Sequence, residues 1–148
     1  PISLSQHNWR WYQDNAAEPS VALANENTAP SLTDTNIIRL RFQVETFLSS
    51  QSGWVLKLQW STDDATFYDL GPTVDWDYAN GQATKGNTVT GYLCTDSNEY
   101  GHYHEDASDA EDWISGNTKE IDFAIQLADY TPNQTYYFKA LSNASDNH

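Results

Sequence analysis

The sequence has no methionine, one cysteine, and only seven basic residues against 21 acidic ones. It also lacks any long apolar run and any stretch of convincing helical periodicity. Each shortage removes a class. With Cys94 alone, no intrachain disulfide can form, and without a Cys-x-x-Cys there is neither a zinc ribbon nor a dithiol redox motif. Cys94 therefore reads as a small buried hydrophobe, not a reactive thiol. A formal net charge of −14 opposes phosphate backbones and anionic lipid surfaces alike, so neither nucleic acid nor a membrane is an expected partner. The apolar runs are a few residues long, against about 20 for a spanning helix. The opening PISLSQ shows no basic or apolar leader segment, so no signal peptide is expected. Pro1 fits a trimmed initiator methionine or a cleaved precursor equally.

What is present is aromatic and alternating. Aromatic residues make up 14% of 148 positions, a share that suits pleated strands on a single domain. Ile38, Leu40, Phe42 and Val44 alternate with Arg39, Arg41, Gln43 and Glu45. Trp54, Leu56, Leu58 and Trp60 alternate in the same way, as do Ile121, Phe123, Ile125 and Leu127. Period 2 puts the apolar set on one face, so three half-buried antiparallel strands are expected, with the charged face in water. NWRWYQ, TVTGYLC (Thr88 to Cys94) and TYYFKAL (Thr135 to Leu141) read as further strands, with short ones near Ala22–Leu23 and Phe67–Leu70. Asp63-Asp64, Asn80-Gly81, Gly86-Asn87 and TPNQT mark turns between them. The expectation is an all-β fold: an antiparallel β-sandwich, immunoglobulin-like, with a jelly roll as the alternative. Residues 1–7 form an N-terminal arm, and residues 8–148 one sandwich domain.

The stretch NEYGHYHEDASDAEDW (Asn98 to Trp113) concentrates two histidines and six carboxylates. On a strand His102 and His104 would point the same way, as two metal ligands should, with His7 or a carboxylate as a third. Glu105, Asp106, Asp109, Glu111 and Asp112 offer oxygens for calcium, but the run lacks the central glycine and the alternation of an EF-hand loop. Read between the TVTGYLC and KEIDFAIQ strands, the stretch is a long inter-strand loop that carries recognition surface. DASDAEDWI has room for at most one acidic helical turn. No Gly-x-Ser-x-Gly context and no phosphate loop occurs, and paired carboxylates among 21 acids carry no specificity, so no enzyme is expected and no cofactor beyond calcium. Trp76 and Tyr78, in VDWDYANG, read as exposed and as candidates for an interface or for stacking on a sugar.

WRWYQDNAAEPSVALANENTAPSL, then NIIRLRFQVE and LKLQWSTDDATFYDLG, is similar to a recurrent type of short phage-encoded and metagenomic protein. NGQAT, HYHEDASDAEDW and KEIDFAIQLADYTPNQTYYFKAL extend the resemblance over nearly the whole chain. It implies a virion surface module, such as a capsid decoration or head or tail protein, located on the virion and partnered by copies of itself and other virion proteins. It implies no catalytic residue. Similar chains continue past the TYYFKAL strand to a terminal one. Here that strand is missing, or the fold closes differently, or a neighbour supplies a segment by strand addition. Ile2 and Leu4, apolar and outside any evident core strand, are the expected docking residues of the arm. Two alternatives stand beside this: a carbohydrate-binding module centred on Trp76, Tyr78 and residues 98–113, and an extracellular cell-surface filament subunit.

Overall fold

A computed structural model describes residues 4–46, 50–108, 110–129 and 131–142. Nine strands lie among them: β1 (Leu4–Gln13), β2 (Ile38–Thr46), β3 (Gln51–Ser61), β4 (Tyr68–Asp69), β5 (Trp76–Tyr78), β6 (Glu99–His104), β7 (Ala110–Trp113), β8 (Thr118–Leu127) and β9 (Tyr137–Ser142). Sheet I runs β1-β2-β8-β5, with β6 also beside β8; sheet II places β4, β7 and β9 against β3. All pairings are antiparallel except β6 with β8. The two sheets pack as an all-β sandwich. No helix among the described residues is long and apolar enough to cross a membrane.

The three alternating runs became the three longest central strands. Phe42, Ile121, Phe123 and Ile125 are fully buried and meet Leu56 and Leu58 of β3 in one apolar cluster. Phe42 stacks on Phe123 with ring centroids 5.9 Å apart. Their opposite face departs from expectation. Arg39, Arg41, Gln43, Glu120 and Asp122 are at most 1% exposed, so this face of sheet I is not solvated. It is covered by residues 79–97 and by the Asp14–Glu18 turn.

That cover is the expected TVTGYLC strand, which forms only an isolated bridge, Thr88 to His102. Val89 N–H donates to the Gly101 carbonyl, and the bonded amides that follow find side chains instead of a ladder. Thr90 N–H donates to Glu18, Leu93 and Cys94 N–H to Glu120, and Thr95 N–H to Glu26. A carboxylate accepting main-chain N–H groups satisfies them as well as a neighbouring strand would. Ala22 makes a bridge to Tyr12, and Tyr68–Asp69 is the short strand expected near there. Asp64 and Asn133 take positive φ (57° and 60°) in their expected turns.

The stretch 98–113 is not a loop. It supplies β6 to sheet I and β7 to sheet II, and so crosses between the layers. Gly101 permits the close approach of β6 to β8: a Cβ there would lie 2.6 Å from the Glu120 carbonyl oxygen, too close for any other residue. The expected arm is also shorter than proposed. Residues 4–7 belong to β1, where Leu4 pairs with Thr46 and Gln6 with Val44.

Candidate functional site

Where β6 and β7 face each other, the candidate residues divide. Alternation along β6 sends both imidazoles toward the space between the sheets, and β7 brings Glu111 to meet them. His102 Nδ1 lies 2.9 Å and His104 Nε2 2.8 Å from the two Glu111 oxygens. The His102 main-chain N–H donates to the same carboxylate at 2.8 Å. Lys119 of β8 places its ammonium 3.2 Å from Glu111 and 3.4 Å from Glu99, and donates to the Asp112 carbonyl. His104 is fully buried, stacked on Phe123 at 4.8 Å, and its Nδ1 has no partner. An unpaired N–H would cost more than an unpaired lone pair in that apolar wall, so the proton belongs on Nε2, donated to Glu111. Burial raises the Glu111 pKa, but the His104 hydrogen bond, Lys119 and the two imidazoles outweigh it and hold the carboxyl below its ordinary range.

A carboxylate that orients an imidazole is one part of a hydrolytic site. The other parts do not follow. No serine or cysteine is hydrogen-bonded to either ring among the described residues, and His104 is sealed from any substrate. The cation that balances Glu111 is Lys119, in the place a metal would take. The other acids of the stretch turn to separate partners: Glu105 to the Gly81 amide, Asp106 to Lys85 and Ser108, Asp112 to the Gly53 amide. Lys85 and the Ser108 groups overcome partial burial and pull Asp106 down to about 2. Asp109 lies outside the described residues. No group of three or more histidine, cysteine or acidic side chains among the described residues is placed to hold a metal. Among the described residues, the oxygens expected to serve calcium turn to separate partners. Melting is expected at one temperature with added calcium and with a chelator, by calorimetry; a rise of several degrees with calcium would contradict this.

A second ionic cluster, missed in the sequence, lies on the outer face of sheet I. Asp122 receives Arg39 Nε at 2.6 Å and Arg41 Nε at 2.9 Å. Arg41 also reaches Glu120 at 2.9 Å, Glu18 at 2.6 Å and the Gly91 carbonyl at 2.9 Å. Arg39 reaches Asp14 at 3.1 Å. Both guanidinium groups lie over the Tyr103 ring, at 5.2 and 5.8 Å, and the Tyr103 hydroxyl donates to Glu18. Desolvation disfavours the Arg41 charge, yet Asp122, Glu18 and Glu120 more than reverse this and raise its pKa. The signal was legible: Arg39 and Arg41 share one parity on β2, and Glu120 and Asp122 the matching parity on β8.

The remaining candidates moved inward. Trp76 is 2% exposed in β5, edge-on to Phe138 at 5.0 Å and Tyr136 at 5.5 Å. Tyr78 is half-buried, and its hydroxyl accepts the Leu58 N–H at 3.0 Å, tying sheet I to sheet II. Burial pushes its phenol up to about 12. Both were expected at the surface; Trp76 is core, and Tyr78 packs half-buried against it. They alternate with Asp75 and Asp77, but three residues are too few for period 2 to show. Ile2 and the Leu4 side chain lie outside what the structure describes. Cys94 is buried at 5% exposure, and its thiol pKa is raised chiefly by burial.

A cavity of about 870 Å³ opens between β1, residues 29–33 and residues 131–138, with Trp9, Trp11, Trp76 and Phe138 in its wall. No family model, no curated protein and no solved structure matches the chain.

Proposed function

We propose that the chain is a structural protein of a phage virion, a capsid decoration or a head or tail surface protein. It acts by assembling with copies of itself and docking on other virion proteins. The observation that carries this reading is the inequality of its strand edges. Two edges of sheet I, β1 from Trp9 to Gln13 and β6, are covered by the chain itself. On β1, Trp9, Trp11 and Gln13 bond to Asn27, Leu23 and Val21; on β6, Gly101 and Tyr103 bond to Val89, Gly86 and Asn87. Sheet II differs: residues 137–141 of β9 have no main-chain partner but β3 among the described residues. A bare edge is a template for pairing with another chain, and proteins that stay apart blunt such edges. The ionic clusters support the same reading, because their charges are consumed in internal pairs that stiffen a scaffold. The virion setting draws its support from the resemblance in order of elements.

We take the sandwich further to be immunoglobulin-like. Nine strands divided five and four are the count of a variable-type domain, whereas a jelly roll distributes eight. In light scattering coupled to gel filtration the protein is expected to run as an oligomer. Leu141→Lys, a charge on the bare edge, is expected to give the monomer with its melting temperature kept. Removing residues 1–3, which leaves β1 complete, tests the arm separately. A wild-type chain that is monomeric at all concentrations would remove self-assembly from the account, and open helical filaments in negative stain would favour a surface filament over a virion.

A further inference from the structure

The cavity beside β1 is a concave feature that neither the ionic clusters nor the assembly edge explains. Its floor is aromatic and held in place. Phe138 meets Trp11 edge-on at 5.2 Å and Trp76 at 5.0 Å, and Tyr136 meets Trp76 at 5.5 Å. The Tyr136 hydroxyl is fixed to Asp75 at 3.2 Å. Trp9 stands differently. It is only half-buried, stacks on no other ring among the described residues, and has both main-chain groups clamped by Asn27. Its indole lines the cavity from a main chain held on both sides by Asn27.

The rim is polar and uncharged. Ser31, Thr33, Thr131, Gln134 and Thr135 bring hydroxyls and an amide to the opening; Asp64 is the one ionisable acid in the wall and no cation lines it. On a chain of net charge −14, a cavity with one carboxylate and no cation in its wall disfavours anionic ligands. Its volume of about 870 Å³ lies in the range of ligand pockets. A ligand suited to it is uncharged, presents C–H faces to an aromatic floor, and carries groups that both donate and accept along the rim. Peptide strand addition on the β1 wall is disfavoured, because the outer main chain of β1 from Trp9 to Gln13 is already bonded to residues 21–27.

We propose that this cavity binds a neutral oligosaccharide, with one sugar ring stacked on Trp9 and its hydroxyls met by the side chains of residues 31–33 and 131–135. The site differs from the Trp76, Tyr78 and 98–113 surface that the sequence suggested: of those residues only Trp76 lines it. It does not depend on assembly, as the rim and floor belong to one chain.

The test is a glycan array of neutral and charged oligosaccharides, followed by calorimetric titration with the neutral hexasaccharides that bind. Wild-type protein is expected to bind neutral glycans and to ignore sialylated and sulfated ones. Trp9→Ala is expected to weaken binding at least tenfold. Because Trp9 also packs on the core, the double variant Thr33→Ala/Gln134→Ala, at exposed positions, serves as the second arm and should weaken binding severalfold with an unchanged melting temperature. Tyr92→Ala, outside the cavity, should bind as wild type. An array without neutral-glycan signal overturns the proposal, as does binding that both cavity variants leave intact. Peptides selected from a random library that bind in a Trp9-dependent way, with no glycan signal, would also overturn it and make the cavity a peptide slot.

Discussion

Arg41→Ala is expected to destabilise the protein by about 3–5 kcal/mol in urea denaturation, enough to leave much of a marginal domain unfolded. Arg41 is fully buried and is the one group that touches Asp122, Glu120 and Glu18 together. Removing it leaves three carboxylates in a water-poor space with Arg39 as the remaining cation nearby. The loss is that of stranded charge, not of the pair's intrinsic strength, since a buried ion pair roughly breaks even against a good apolar replacement. Arg41→Lys should recover little. A lysine ammonium cannot bridge two oxygens of Asp122 and Glu120 and also reach Glu18 and Gly91 in the guanidinium's planar fork. A loss below about 1 kcal/mol for Arg41→Ala would mean that water enters this layer and that the residues 79–97 do not seal it.

Glu111→Ala is the second large effect, again about 3–5 kcal/mol. Glu111 comes from sheet II, and every one of its partners comes from sheet I: His102 and His104 from β6, Lys119 from β8. It is therefore a polar clamp across the end of the sandwich. Without it, Lys119, 3% exposed, keeps Glu99 at 3.4 Å as its nearest carboxylate. The same group sets a pH limit. Glu111 and Glu18 titrate below their ordinary range in the folded chain; burial opposes this in both, and their hydrogen bonds and nearby cations override it. The unfolded chain then takes up protons first as the pH falls. Stability is fully present above the unfolded carboxyl pKa of about 4.3 and is lost as the pH drops through the folded values. At the alkaline end the sign is reversed. Cys94, Tyr12 and Tyr103 have raised pKa values, chiefly through burial, so the unfolded chain loses its protons first and stability falls as the pH rises past about 8.5. Urea midpoints are expected to be flat between these limits in the wild type, and the acid limb should be shallower in Glu111→Ala. An acid limb unchanged by that substitution would show that Glu111 is not held ionised by its partners.

The apolar skeleton was written plainly in the sequence. Ile38 to Val44, Trp54 to Trp60 and Ile121 to Leu127 alternate cleanly, and β2, β3 and β8 are the result. What period 2 could not show was the fate of the other face. Arg39, Gln43 and Asp122 carry the pattern of a solvated surface, and only the path of residues 79–97, remote in sequence, turns that surface into an interior. TVTGYLC misled for a related reason. Its residues have strand propensity, but the acceptors for the Thr90, Leu93 and Cys94 amides are side chains of Glu18 and Glu120, which no local pattern announces. The candidate stretch was half legible. Alternation along β6 does bring His102 and His104 to one side, and their shared partner Glu111 lies within the same sixteen residues. Lys119, which makes the cluster a neutralised clamp, lies in the next strand. Trp76 was misplaced because three residues between aspartates look like a loop.

The central claim is that the buried ionic cluster of Arg41, Glu120 and Glu18 serves to hold residues 79–97 onto sheet I. Native-state hydrogen exchange tests it at two amides. Leu93 and Cys94 N–H, both bonded to Glu120, lie in no strand. They are predicted to exchange as slowly as the amides of β8, through global unfolding, and to exchange much faster in Glu120→Gln. Wild-type Leu93 and Cys94 amides that exchange at the rate of an open loop would contradict the account.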